Sequence, residues 1–225
     1  TFDIHGGGID NLFPHNECEI AQAEAATDKT FARYWLLAGT LTVNGVKMSK
    51  SLGNFLTLKE AFKLYSPQAL RFFVLSSHYR SPVDFSRDAL MGAQRGVDRL
   101  HATVWNARQR LSMMGPSGTA DLSYMKDLDE YRARFIAAMD DDFNTPAALA
   151  ALFDMTRDVN TLLNSDDPVS RGTIAGIDGL YRELGGQVLG IIPDELGVEE
   201  QGSDVTPGLM QILIDLRESY RQNKE

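Results

Sequence analysis

The chain has 225 residues, 43% hydrophobic and 24% charged, the balance of a globular protein long enough to bury a sizeable core. No run of about 18 apolar residues occurs, which excludes a transmembrane helix, and the single cysteine, Cys18, excludes an internal disulfide and fits a reducing cytosol. The formal net charge of −9, taken alone, argues against nucleic acid, because phosphate binding requires a basic face.

Thr1, Phe2, Asp3 and Ile4 alternate polar and apolar and run into His5-Gly6-Gly7-Gly8, the pattern of a strand ending in a glycine loop. Pro14 stands where a first helical turn begins, and residues 15–26 read as the helix. Alternation returns at residues 40–43, and Asn44-Gly45 signals a two-residue hairpin with Val46 and Met48 on the return strand. From Thr57 the apolar period becomes helical: Leu58, Phe62 and Tyr65 share a face, and Ser66-Pro67 restarts a helix carrying Leu70, Phe73 and Val74. Ser86 caps a long helix reaching about residue 112, with Leu90, Val97, Leu100, Val104 and Leu111 along one stripe.

Residues 113–123, with Gly115, Pro116, Ser117 and Gly118, read as a linker. Helices follow near 124–138, 146–164 and 169–185, the second opened by Thr145 as cap and Pro146 as first helical residue. Residues 190–204 read as a second linker, and Thr206-Pro207 opens a last helix still running at Glu225. The fold class is an α/β remnant followed by a mainly helical remainder. No leader is visible at Thr1. A start on a bare strand and an end inside a helix suggest a piece of something longer.

The net charge conceals an asymmetry. Residues 1–112 carry 13 Lys and Arg against 10 Asp and Glu, whereas residues 113–225 carry 9 against 21. The stretch 47–112 alone is +7, which points to different partners for the two halves, or only to solvated helix faces.

Three motifs carry chemistry. Lys47-Met48-Ser49-Lys50-Ser51, followed by Leu52-Gly53-Asn54, places two ammonium groups and hydroxyls in a loop after a hairpin. Such a loop can wrap a polyphosphate and neutralise charge that develops on it. Gly6, Gly7 and Gly8 let a ligand approach the backbone, and Asp10 either accepts from ribose hydroxyls or caps the next element. His15 and Glu19 lie one helical turn apart, as do His15 and Cys18. Either pair is zinc-type, although two ligands alone do not make a site.

The pentapeptide is the KMSKS signature of class I aminoacyl-tRNA synthetases. With the residues 1–8, Phe13-Pro14-His15, Glu19-Ile20-Ala21-Gln22, His78-Tyr79-Arg80-Ser81 and Asp140-Asp141-Asp142-Phe143-Asn144-Thr145-Pro146, the chain resembles cysteinyl-tRNA synthetase from residue 1 to about 190. The resemblance implies the end of a Rossmann-type catalytic domain (1–40), the KMSKS loop and stem-contact region (41–85), and a C-terminally incomplete helical anticodon-binding bundle (86–225). It implies ATP-dependent formation of cysteinyl-adenylate, with magnesium, and transfer to tRNA(Cys) by a cytoplasmic monomer. Lys50 is then the ATP-binding lysine and Lys47 its assistant, while Gly6, Gly7, Gly8 and Asp10 lie against the adenosine.

In that family zinc binds the substrate cysteine, and the ligand positions carry over to His15 and Glu19. Cys18 stands where many members have Asn, so no ligand role passes to it. The H-I-G-H element and two zinc cysteines are expected upstream of Thr1, and a short region beyond the last helix is also expected. The chain alone is therefore expected to be inert. Pro67-Gln68-Ala69-Leu70-Arg71 resembles the D-A-L-R-type element of class I enzymes, and Arg80, Arg87, Arg95 and Arg99 are the candidate tRNA phosphate contacts; in the acidic half either Arg132 and Arg134 serve, or the expected C-terminal region supplies the basic surface. Two alternatives share parts of this pattern. One is a cysteine ligase paralogue acting on a sugar amine, as in the mycothiol pathway; the other is a non-catalytic helical module with a relic loop. The long helical tail favours the tRNA enzyme.

Overall fold

The computed structural model describes residues 1–49, 52–54, 57–115, 119–165 and 168–196. The chain divides into two compact units, Thr1–Asp194 and Glu195–Glu225. The last expected helix, from Pro207, lies outside the described residues, as do Lys50 and Ser51 of the signature loop.

The first unit opens with strand β1 (Phe2–Gly8), helix α1 (Glu17–Thr27) and strand β2 (Ala32–Ala38). The glycines are not a loop after the strand, as the sequence suggests; they are its second half. Gly6, Gly7 and Gly8 pair in parallel with Leu36, Leu37 and Ala38, and ladder bonds formed by the backbone need no side chain. The connection before α1 also differs from expectation. Phe13 is extended (φ −133°, ψ 133°), as a residue preceding proline prefers, and Pro14 follows a cis peptide inside a wide turn, Leu12–Asn16. The helix therefore starts two residues late, at Glu17.

Strands β3 (Leu41–Val43) and β4 (Val46–Lys47) form the hairpin that Asn44-Gly45 announces, with both turn residues at positive φ (51° and 77°). Strand β5 (Val83–Asp84) adds in parallel to β3. Helix α2 (Leu58–Ala61) is a single turn held by a capping box between Thr57 and Glu60. The face expected to be apolar there is not core: Leu58 and Phe62 are exposed and Ala61 is buried.

Helices α3 (Pro67–Leu75), α4 (Arg87–Met113), α5 (Leu122–Asp140), α6 (Thr145–Leu163) and α7 (Arg171–Leu180) build the rest. Ser86 accepts from the Ala89 amide, so its expected cap holds, and Ser66 caps α3 in the same way through the Ala69 amide. The cap of α6 is Asn144, not Thr145. Its side chain reaches the Ala147 amide, and Pro146 falls at the second helical position. Leu90, Val97, Leu100 and Val104 of α4 meet Leu152, Met155 and Val159 of α6 and Ile174 and Ile177 of α7 in the core. Tyr181 lies fully buried there and donates to Thr156 at 3.0 Å.

The second linker begins inside this core. Ile191 and Ile192 are buried, His101 Nε2 lies 2.7 Å from the Ile191 carbonyl, and Arg108 donates to the carbonyls of Pro193 and Asp194. Two isoleucines give this segment apolar area that outweighs the turn signal of Gly190. Among the described residues no helix is long and apolar enough to cross a membrane.

Candidate active site

The parallel pair β1–β2 and the β3–β4 hairpin bring the sequence-selected residues together. Lys47, at the end of β4, places Nζ 2.9 Å from Asp10 Oδ2. The Lys47 bond, and then its charge, holds the Asp10 carboxyl below the usual carboxylate range. The glycines differ in what they require. A β-carbon on Gly8 would lie 2.5 Å from Asp10 Oδ1, whereas one on Gly7 would meet nothing within 4 Å. A side chain at Gly8 would displace the exposed Asp10 carboxylate from its place beside Lys47; the space over Gly7 is open.

Asn54 organises the loop that follows. Its side chain accepts from the Ser49 amide at 2.8 Å and donates to the Lys47 carbonyl at 3.1 Å, tying the first three residues of the signature to Asn54. Asp84 does the same for the hairpin, accepting from Thr42 Oγ1 at 2.6 Å and from the Gly45 amide at 2.7 Å. Neither role is assigned by the sequence reading. Asn54 adjoins a recognised motif, but Asp84 is distant in sequence from the hairpin it closes.

His15 and Glu19 face each other across one turn, with Nε2 3.5 Å from Oε1. A third side chain joins them: His5 Nε2 lies 3.1 Å from the other oxygen of Glu19. The His5 ring sits over Trp35 of β2, centroids 4.4 Å apart, with Phe31 and Phe2 beside it. Glu19 Oε2 and His5 Nδ1 are buried without a hydrogen-bond partner. Cys18 is exposed. Among the described residues no group of three or more His, Cys, Asp and Glu is arranged to hold a metal ion. The donor set of His15 and Glu19 fits half of a tetrahedral zinc site, an imidazole nitrogen from the turn before α1 converging with a carboxylate oxygen from the first turn of the helix.

The candidate phosphate-contact arginines divide. Arg80 is held by Asp142, Arg132 by Glu183 and Arg134 by Asp154. Among the described residues, Arg87, Arg95 and Arg99 of α4 have no carboxylate at ion-pair distance. Arg99 lines an open groove of about 620 Å³ with Arg157, Asn160, Thr161, Asn164 and Ser165 of the α6 region.

The model for the tRNA synthetases class I (C) catalytic domain matches residues 1–95, and that for the DALR domain matches residues 134–193. The cysteine–tRNA ligase of Desulforudis audaxviator is 45% identical across the whole chain, and those of Chlorobium luteolum and Deinococcus radiodurans are 44% and 43% identical. Along its whole length the chain is similar to cysteine–tRNA ligases, with a class I (C) synthetase segment followed by a DALR segment. It spans 48%, 46% and 45% of those three relatives, about half their length. The LeuRS chain of an Agrobacterium radiobacter LeuRS-tRNA-LeuAMS complex shares the fold at a TM-score of 0.65, with 18% identity over 85% of this chain and 28% of its own. The catalytic-domain match covers the glycine strand, Asp10 and Lys47, and the DALR match runs from the second half of α5 to residue 193.

Proposed function

We propose that the protein carrying this chain is a cytoplasmic, monomeric cysteine–tRNA ligase, in which the L-cysteine carboxylate attacks the α-phosphorus of ATP. Pyrophosphate leaves, and the terminal hydroxyl of tRNA(Cys) then takes the cysteinyl group with release of AMP. The observation that carries this reading is the meeting of the glycine strand, Asp10 and Lys47 at one point, in a chain 42–45% identical to several cysteine–tRNA ligases throughout. Gly6 and Gly7 leave the backbone open to adenosine, Asp10 accepts from a ribose hydroxyl, and Lys47 and Lys50 stabilise charge on the departing pyrophosphate with its magnesium. The domain division at residues 1–40, 41–85 and 86–225 follows from the same reading.

His15 and Glu19 would hold zinc together with two donors from elsewhere in the protein. Bound there, zinc selects a substrate thiolate over a hydroxyl by ligand softness. His5 Nε2 stands at ion-pair distance from Glu19 Oε2 and, fixed against Trp35, would orient its carboxylate. The groove beside Arg99 offers cations and neutral donors to tRNA phosphates.

Cysteine-dependent ATP–pyrophosphate exchange by the complete protein, and charging of tRNA(Cys), test the reading. Lys47→Ala and Lys50→Ala are each expected to lower exchange about a hundredfold or more. A parent protein without cysteine-dependent exchange would sink the proposal, and variants as active as the parent would remove the lysines from it. Metal content separates the ligand candidates: Glu19→Ala is expected to lose zinc and Cys18→Ser to retain it. The reverse would move the site onto the thiol. Neither the sugar-amine paralogue nor the relic module draws support from the relatives' names or from the DALR match.

A further inference from the structure

Two sequence runs have no part in the nucleotide and metal residues, and they meet at Asp142. The Tyr79 hydroxyl donates to Asp142 Oδ1 at 2.7 Å, and Arg80 Nε lies 2.6 Å from Oδ2. His78 stacks on Tyr79, centroids 5.0 Å apart, and brings Nε2 to 3.8 Å from the same carboxylate. One carboxylate at the α5–α6 corner thus gathers three consecutive side chains of one loop. The corner is itself unusual: Asp142 and Phe143 both hold positive φ, 54° and 53°, a region that residues with a β-carbon seldom enter.

The far side of that loop is fastened to the end of β2. The Gly39 amide donates to the Tyr79 carbonyl at 2.7 Å, and a β-carbon on Gly39 would lie 2.2 Å from the Ser81 carbonyl oxygen. Beyond it, the Val83 amide donates to Thr40 and the Phe85 amide to Thr42. Strand β3 begins two residues after Gly39, and its hairpin partner β4 ends at Lys47. Direct contacts therefore run without a gap from the α5–α6 corner, through Asp142, Tyr79 and Gly39, to the root of the hairpin that presents Lys47.

We infer that Asp142 is a positioning residue for the activation step: it clamps the 78–81 loop against the root of the β3–β4 hairpin and so sets where Lys47 stands without touching the nucleotide. The inference rests on the reading of Lys47 as a phosphate-facing group. Asp142→Asn keeps the shape and an acceptor for Tyr79 but removes the charge that holds Arg80. Tyr79→Phe removes the hydroxyl's bonds with Asp142 and Arg80 but leaves the Arg80–Asp142 pair in place.

Two measurements on the complete protein test it. Amide hydrogen exchange at Gly39, Val83 and Met48 is expected to quicken about tenfold in Asp142→Asn, while α6 core amides such as Met155 keep their protection. In cysteine-dependent ATP–pyrophosphate exchange, kcat is expected to fall about tenfold with KM for cysteine unchanged, and Tyr79→Phe to show a smaller loss in the same direction. Unchanged amide exchange at Gly39 and Val83 in both variants overturns the inference. So does faster amide exchange with kcat unaltered. If Asp142→Asn loses protection throughout α6, the milder Tyr79→Phe decides on the same amides. A parent that fails to activate cysteine counts against the proposed function, and the amide readout still judges the clamp.

Discussion

Asp84 illustrates how one side chain fixes local geometry. Its carboxyl is held below the ordinary value of 3.8, chiefly by the Thr42 hydroxyl and then by the Gly45 amide. A carboxyl depressed on folding stabilises fully above its unfolded value, and that contribution is lost as pH falls through the folded value. The hairpin is therefore expected to loosen only below about pH 4. The Gly45 amide resonance should titrate with Asp84 in that window and not in Asp84→Ala, where Gly45 amide exchange at neutral pH is expected to quicken about tenfold. Absence of that titration in the parent would break the link between Asp84 and the turn. A second residue, Gly7, tests the cradle itself. Open space over its α-carbon predicts that Gly7→Ala changes stability by less than about 0.5 kcal/mol yet raises KM for ATP, because only a ligand can meet the added methyl. An unchanged KM would remove Gly7 from the nucleotide site.

Elements were legible where one stretch of chain carries its own instruction. Asn44-Gly45 specifies its hairpin, and Ser86 with a helical apolar stripe specifies α4, because turn chemistry and periodicity are local. Strand β2 was not legible: Ala-Arg-Tyr-Trp-Leu-Leu-Ala neither alternates nor carries a turn signal, and its strand identity comes from parallel pairing with β1, a partner distant in sequence. The site divides in the same way. Lys47, Asp10, His15 and Glu19 stand in motifs, but Asp84 and the Asp142 clamp depend on partners about 40 and 60 residues away, which only packing selects. The helical core is predicted to be intolerant of voids. Met155 of α6 is fully buried in the helical core, so Met155→Ala is expected to cost about 2–5 kcal/mol, read as a lower denaturation midpoint by far-UV circular dichroism. A shift worth under about 1 kcal/mol would mean that the α6 seam collapses around the missing side chain.

At the scale of the molecule, a net charge of −9 conceals two different surfaces. The acidic half spends its few cations internally: Arg132 is bidentate to Glu183, Arg134 is paired with Asp154, and Arg182 is paired with Asp178. Among the described residues, Arg95 and Arg99 of α4 have no carboxylate at ion-pair distance, and Arg99 rests over the Phe153 ring at the groove edge. Formal charge therefore ranks these arginines wrongly, since a paired guanidinium has already exchanged its water for a carboxylate and releases no phosphate counterion on binding. Each of Arg95→Gln and Arg99→Gln is predicted to weaken tRNA binding by the complete protein and to reduce the slope of log K against log salt by about 1. Arg132→Gln is predicted to leave that slope unchanged while lowering helical stability, because it strands Glu183. A salt titration of binding for the three variants separates the two kinds of arginine. If Arg132→Gln flattens the slope as much as Arg99→Gln does, the acidic half meets the phosphates after all, and the α4–α6 groove loses its distinction as the tRNA-facing surface.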